Sequence, residues 1–96
     1  MKVLWTAQAE QNRLDIFDHI AADNPHAAVN MDQRFGVAAS ALAKWPRKGP
    51  PGRVAGTREL LVHEHYFLIY EIDDAADEVH ILAVLHTSRR WPPFSD

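Results

Sequence analysis

The chain contains no cysteine, and no stretch of it is apolar over the length that a membrane-spanning helix needs. Such a helix takes roughly 20 consecutive apolar residues. The absence of cysteine excludes a disulfide framework, a cysteine-ligated metal site and a thiol nucleophile. The N-terminal apolar run is already interrupted by Thr6, which is too early for the core of a signal peptide. We therefore expect a cytoplasmic protein.

Basic and acidic residues are unevenly distributed along the sequence. The net charge is −3, which argues against a chain that is basic throughout and binds nucleic acid for that reason. Region 44–58 nevertheless holds five Lys or Arg residues and no acid, and region 59–78 holds seven acids and no Lys or Arg. This segregation predicts a local positive patch that could attract an anionic partner. The alternative, that both regions are ordinary solvated surface, stays open.

The periodicity of the apolar residues predicts two helices in one domain that spans residues 1–96. Of the 96 residues, 47% are hydrophobic, as is typical of a globular chain of this size. A first amphipathic helix runs from Ala7 to about Ala22, with Thr6 as its N-cap, and Asn24 and Pro25 open a second helix that Pro46 ends. One apolar stripe on the second helix comprises Ala28, Met31, Phe35, Ala38, Leu42 and Trp45. The short connection predicts an antiparallel helical hairpin.

Four short runs have the composition of strands, one before the helices and three after a loop rich in proline and glycine. The predicted strands are 1–5, 57–62, 66–72 and 79–86. The order is therefore β-α-α-β-β-β. We predict an α+β fold in which the helical hairpin packs on a small curved antiparallel sheet.

The last two predicted strands are apolar on both faces. Leu68 and Tyr70 share one face of their strand, whereas Phe67 and Ile69 lie on the other. A sheet that packs helices on one side only should carry polar residues on its far side. The far face predicted here comprises Phe67, Ile69, Leu82 and Val84. The C-terminal segment, a second copy of the chain or a partner must cover it.

Several short motifs occur in a characteristic order over nearly the whole chain. They are Trp5-Thr6, Asp15-Ile16 with His19-Ile20, Asn24-Pro25-His26-Ala27-Ala28, Leu42 with Trp45-Pro46, Arg53 with Gly56-Thr57-Arg58-Glu59-Leu60, Tyr66 with Ile69-Tyr70, and Val79 followed by Ile81-Leu82, Val84, His86, Arg89 and Trp91-Pro92. This ordered set resembles the RelE/ParE superfamily, the toxins of bacterial type II toxin–antitoxin pairs. The resemblance implies a curved sheet on a two-helix hairpin and a small cognate antitoxin, of the ParD type, that wraps the toxin.

The superfamily contains two activities, and the residues here favour one of them. RelE-like members cut mRNA in the ribosome and carry an arginine in the middle hairpin strand, where this chain has Phe67. Phenylalanine cannot bind a phosphate. The resemblance therefore favours a ParE-like toxin that binds a macromolecular target, with DNA gyrase as the family's candidate. The alternative is a ribosome-dependent endoribonuclease that uses His86 with Arg53, Arg58 or Arg89.

Five residues are candidates for binding the target. They are Arg58, His86, Arg89, Arg90 and Trp91. A planar cation beside an aromatic ring is typical of binding hot spots. For Arg58 the alternative is an ion pair within the sheet, for example with Glu71, and for Trp91 it is packing back onto the sheet. The candidates for binding the antitoxin are the four apolar residues of the far face, Phe67, Ile69, Leu82 and Val84.

No cofactor or metal is predicted. The six histidines show no spacing typical of metal ligands, and the glycines form no phosphate-binding loop. Trp5 and Trp45 are expected in the core because one lies in a strand and the other at the end of a helix.

Overall fold

The computed structural model describes residues 1–89 and residue 91. The element order is the predicted β-α-α-β-β-β. The strands and helices are β1 (Lys2–Trp5), α1 (Ala7–Ala21), α2 (Pro25–Ala41), β2 (Arg58–His63), β3 (Tyr66–Asp73) and β4 (Glu78–His86). No helix within this part of the chain is long and apolar enough to cross a bilayer.

Both helices begin at the predicted N-caps. The Thr6 hydroxyl accepts a hydrogen bond from the Ala9 amide at 3.2 Å and donates to the Ile81 carbonyl at 2.8 Å, so the same group starts α1 and ties it to β4. The Asn24 side chain accepts from the Ala27 amide at 3.1 Å, and Pro25 takes the first helical position. These caps satisfy amide groups that have no partner inside the helix.

An ion pair joins the two helices into the predicted hairpin. The Arg13 guanidinium on α1 donates to both carboxylate oxygens of Asp32 on α2, at 2.9 and 3.0 Å. The same guanidinium lies over the Trp5 ring, 4.5 Å from its centroid. Trp5 is half-buried and packs against the core, in agreement with its predicted position.

The sheet is mixed, whereas a wholly antiparallel sheet was predicted. Its strand order is β1-β4-β3-β2. β3 is antiparallel to both of its neighbours, but β1 runs parallel to β4. A parallel pair needs a long connection between its strands, and the whole helical hairpin together with β2 and β3 lies between β1 and β4. The α+β architecture itself is as predicted.

A β-bulge in β4 exchanges the two faces of that strand. Ile69 pairs with Ala83 but Tyr70 pairs with Ile81, which leaves Leu82 as the extra residue. One added residue turns every later side chain to the opposite face. Val84 consequently packs in the core on the helix side and is 1% exposed. Its predicted place on the far face is therefore wrong, because the prediction assumed uninterrupted alternation along β4.

The core between the helices and the sheet contains Tyr70, whose ring is fully buried. Its hydroxyl donates to the Pro46 carbonyl at 2.7 Å and accepts from the Gly49 amide at 3.0 Å. Burial raises the pKa of this hydroxyl, against the lowering effects of the Gly49 hydrogen bond and of Arg58 and Arg47. One phenol thus holds the loop that follows α2 against the sheet.

The far face of the sheet is covered in part by the chain itself. Phe67, Ile69 and Ala83 form a buried cluster, and Leu82, Leu85 and Trp91 pack against it. The Arg53 guanidinium lies over the Phe67 ring, 5.4 Å from its centroid. Phe67 and Ile69 lie on the predicted face. Of the three covers that the sequence allows, the structure shows the C-terminal segment, which contributes Trp91.

Trp45 is not part of the core, contrary to the prediction. Its side chain is 60% exposed. α2 ends at Ala41, and the amides of Leu42 and Ala43 bond to carbonyls three residues back, as in a tighter turn. This change of helical pitch carries the Trp45 ring away from the apolar stripe that Leu42 still continues.

We expect Tyr70→Phe to destabilise the fold by roughly 1–3 kcal/mol, because it leaves the Pro46 carbonyl and the Gly49 amide without their buried partner. Urea unfolding followed by circular dichroism measures the change. Tyr66→Phe is the matched control, since the Tyr66 hydroxyl makes no hydrogen bond within the described residues. Equal stability of the two variants would contradict this role for Tyr70.

Candidate functional site

A groove of about 580 Å³ opens between α1 and the ends of β3 and β4. We call it the histidine cleft. It is lined by Asn12, Asp15, Ile16, His19, Tyr66, Val84, Leu85, His86, Ser88 and Arg89. Because the bulge turns the last residues of β4 over, His86 reaches the side of the sheet on which α1 packs. The bulge therefore determines which side chains of β4 line the cleft.

His86 is fixed in the cleft by stacking and by hydrogen bonds. Its ring lies parallel to that of His65, with centroids 5.6 Å apart, and edge-to-face with Tyr66 at 5.1 Å. Its Nδ1 lies 3.0 Å from the Ser88 amide and 2.7 Å from the Ser88 hydroxyl. A backbone amide can only donate, so Nδ1 accepts and the proton of the neutral ring is on Nε2. His86 in this tautomer offers the cleft a hydrogen-bond donor.

The segment after β4 is held against the turn between β2 and β3. The Thr87 amide donates to the His65 carbonyl at 2.8 Å, and the Arg89 amide donates to the His86 carbonyl at 2.9 Å. These bonds bring the exposed Arg89 to the rim of the cleft beside His86. The structure thus brings together two of the five residues predicted to bind the target.

The other predicted target-binding residues lie elsewhere. Arg58 donates to the Gly49 carbonyl at 2.7 Å and pairs across strands with Tyr70, four residues along β3 from the Tyr66–His86 pair. That offset is about 13 Å at the rise of a strand. Trp91 packs on the far face, as in the alternative given for it, and Arg90 lies outside the described residues.

The set proposed for the nuclease alternative is not assembled in one place. Arg53 lies over Phe67 on the far face and bonds through Nη2 to the Glu59 carboxylate at 3.3 Å. Arg58 is engaged by the Gly49 carbonyl. Only His86 and Arg89 of that set share the cleft.

Sequence reasoning missed the contribution of α1 to the cleft. Asn12, Asp15 and His19 are spaced three and four residues apart, so they share one helical face. Asn12 accepts a hydrogen bond from the Val84 amide at 3.1 Å, next to the bulge, and Asp15 accepts from the Gln11 side chain at 2.9 Å. The polar stripe was visible in the sequence, but only the bulge brings β4 opposite it.

The end of the far face away from the Phe67 cluster is polar. His80 lies between two carboxylates, with Nε2 3.0 Å from Glu78 and Nδ1 3.4 Å from Glu71. The hydrogen bond to Glu78 raises the pKa of His80, desolvation lowers it, and Glu71 raises it, with a net increase. Within residues 1–89 and 91 no group of three or more His, Asp or Glu side chains is arranged to hold a metal ion.

Sequence comparison relates the chain to bacterial toxins. The family model described as ParE toxin of type II toxin-antitoxin system, parDE, matches residues 3–91. The candidate toxin Y4kP of Sinorhizobium fredii is 37% identical over 95% of this chain and 93% of its own length. Toxin RelE2 of Caulobacter vibrioides is 35% identical over 92% of this chain and 97% of its own length.

Solved structures have the same fold. A chain of the chromosomal ParDE toxin–antitoxin system from P. aeruginosa superposes with a TM-score of 0.79, at 22% identity, over 90% of this chain and 95% of that chain. A chain of the toxin-antitoxin complex RelBE2 from Mycobacterium tuberculosis superposes with a TM-score of 0.62, at 27% identity, over 88% of this chain and 95% of that chain. The predicted fold is confirmed by these likenesses.

We expect His80 to make the stability of the fold depend on pH. Its folded-state pKa is raised, so its contribution is fully present below the unfolded-state value of about 6.5 and is lost as the pH rises through the folded-state value. The thermal midpoint of the wild type, relative to that of His80→Asn, should therefore fall as the pH rises from about 6 through the folded-state pKa of His80.

The exposed His26 on α2 supplies the control for this measurement. His26→Asn should keep the wild-type dependence on pH. A constant difference between the wild type and His80→Asn across the range would show that the two carboxylates do not favour the charged ring.

Proposed function

The chain belongs to the ParE toxin family of type II toxin–antitoxin systems, and we propose that it arrests growth by binding a macromolecular target rather than by hydrolysis. DNA gyrase is the target that the family resemblance suggests. A cognate antitoxin, carried by the same system, neutralises the toxin. The preference for binding over hydrolysis rests on the composition of the histidine cleft. Among the described residues the cleft has a fixed hydrogen-bond donor and no cluster of arginines.

The tautomer of His86 opposes a role as the general base in RNA cleavage. A general base that removes the 2′-hydroxyl proton of RNA must present a free nitrogen lone pair to it. Nδ1 of His86 is engaged by the Ser88 amide and hydroxyl, and Nε2 carries the proton of the neutral ring. The ring is therefore suited to donating a hydrogen bond to a carbonyl, carboxylate or phosphate of a partner.

The positions of the arginines support the same proposal. Cleavage of RNA without a metal ion requires cations close to the phosphate, where negative charge develops in the transition state. The strand position at which RelE-like enzymes carry arginine is the buried Phe67 in this chain, and Arg53 and Arg58 are both held by other contacts. Arg89 alone accompanies His86 at the cleft within the described residues.

We assign target binding to the rim of the cleft and to the segment that follows it. Arg89 is exposed beside His86, and the next residue in the sequence is Arg90. These two cations, adjacent in the sequence of a chain whose net charge is −3, supply positive charge that an acidic surface of a target can bind. Arg58 would act indirectly, by holding the Gly49 loop, since its guanidinium donates to that carbonyl.

The antitoxin is proposed to bind the far face at its less buried residues. Phe67 and Ile69 are 4% and 0% exposed, so they are not accessible while Arg53 and Trp91 stay in place. Leu82 is partly exposed on that face, and Leu85 lies beside it. The predicted contact through Val84 is not retained, since Val84 is in the core on the other side.

Expression of the chain without its antitoxin tests the proposal. We expect growth arrest, loss of gyrase supercoiling activity in a purified assay, and intact mRNA by primer extension. Replacing Arg89 and Arg90 together by alanine should weaken gyrase binding roughly 5- to 30-fold, because exposed cations at the centre of a contact are common hot spots. Fluorescence anisotropy with labelled toxin measures the affinity.

Arg34→Ala is the matched control, because Arg34 is exposed on α2 and does not line the cleft. It should leave growth arrest and gyrase binding unchanged. Cuts in ribosome-bound mRNA, with supercoiling unaffected, would replace the proposal by the endoribonuclease alternative. Full gyrase binding by the double-alanine variant would move the target site elsewhere on the molecule.

A further inference from the structure

The turn after α2 presents an exposed tryptophan among basic side chains. We call this surface the Trp45 platform and define it by Lys44, Trp45, Pro46, Arg47 and Lys48. The Trp45 side chain is 60% exposed, although large aromatic rings are usually removed from water. We propose, on the basis of the function proposed above, that this platform anchors a short acidic segment of the antitoxin that carries one large apolar side chain.

The backbone under the platform is fixed before any partner arrives. The Trp45 amide donates to the Ala41 carbonyl at 2.9 Å, and its carbonyl accepts from the Lys48 amide at 3.1 Å. In the residues that follow, the Tyr70 hydroxyl donates to the Pro46 carbonyl and accepts from the Gly49 amide. An aromatic ring on a rigid turn binds with little loss of conformational entropy, which is typical of anchoring residues in interfaces.

Charge indicates that the occupant is acidic. Lys44 lies against the ring, with Nζ 5.5 Å from its centroid. Within the described residues neither Lys44 nor Lys48 forms an ion pair, and Arg47 makes only an exposed one, with Asp74 at 3.1 Å. Exposed ion pairs contribute little to stability, so Arg47 can exchange its partner at small cost.

The surroundings of the platform favour a peptide over a nucleic acid. The end of β3 carries Asp73 and the turn to β4 carries Asp74 and Asp77, and this turn meets the platform through the Arg47–Asp74 pair. A nucleic-acid strand carries a phosphate about every 3.4 Å, so a strand that crosses the platform would continue past these carboxylates. The carboxylates would then repel its phosphates. A peptide with two or three acidic residues can end before it reaches them.

The platform and the histidine cleft lie at opposite ends of β3. The platform contacts the turn that follows Asp73, whereas the cleft contains Tyr66. Seven residue steps separate those ends, which is about 23 Å at the rise of a strand. Binding at the platform would therefore not involve the residues assigned to the target, and an antitoxin that reaches both places needs at least about seven extended residues between them.

The test separates neutralisation from toxicity. The platform variant is Trp45→Ser with Lys48→Glu, and the matched control is Val29→Ser with His26→Glu, at exposed positions of α2 that do not line the groove containing Lys48. Each is expressed alone and with the protein encoded next to the toxin gene. The platform variant should still arrest growth, but the antitoxin should no longer rescue it. Its affinity for purified antitoxin should be roughly 30-fold weaker, as for loss of a hot spot.

Other results overturn the inference. Rescue and affinity equal to those of the control variant would exclude the platform as an antitoxin site. If the wild type self-associates in sedimentation and only the platform variant does not, a second copy of the chain is the occupant instead. If a single-stranded oligonucleotide binds the wild type and not the platform variant, the occupant is a nucleic acid. Failure of the wild type to arrest growth would refute the proposed function alone, because the affinity for the antitoxin is measured separately.

Discussion

The added residue in β4 is the constraint on which most of this molecule depends. With Leu82 left out of the pairing, Ala83 and Leu85 turn to the far face while Val84 and His86 turn towards α1. Without the bulge, His86 would lie on the same side as Trp91, and the polar stripe of α1 would face an apolar strand end. The bond from the Val84 amide to Asn12 fastens α1 to the strand just beyond the bulge. This local irregularity of the sheet thus decides which side chains of β4 face α1 and which lie on the far face.

Tyr70 has a comparable role at the other end of the sheet. Its ring belongs to the core, but its hydroxyl serves two backbone groups of the loop after α2, and the neighbouring Arg58 serves a third. The loop packs tightly there, since a Cβ atom at Gly49 would lie only 3.0 Å from both the Tyr70 ring and the Glu59 carbonyl. Residues 46–49, at the start of the loop after α2, are therefore held in place against the sheet. The basic side chains of this segment therefore start from a fixed backbone, so a partner that binds them does not have to order a flexible loop.

The residues that set local structure allowed most of the fold to be predicted from the sequence. Thr6, Asn24 and Pro25 mark helix starts through interactions with the next few residues, so the hairpin could be located without knowledge of its packing. The strand positions followed from composition in the same way. The parallel pairing of β1, the bulge at Leu82 and the exposed Trp45 could not be predicted, because each depends on contacts with distant parts of the chain. The site predictions were affected by the bulge: it moves Val84 from the predicted far face into the cleft beside His86 and Arg89, whereas Arg53 and Arg58 lie elsewhere.

The way the far face is covered changes the physical role that an antitoxin has to play. The sequence left open whether the C-terminal segment, a second copy or a partner covers this apolar face, and in the structure Trp91 packs on the Phe67–Ile69 cluster and Arg53 lies over Phe67. The partner is then not needed to bury the centre of that face, and burial of new apolar area there would first require Trp91 to leave. Recognition has to start from side chains that are exposed in the free toxin. Among the large aromatic residues of the described chain, Trp45 fits that requirement, since its ring is exposed and its backbone is already fixed.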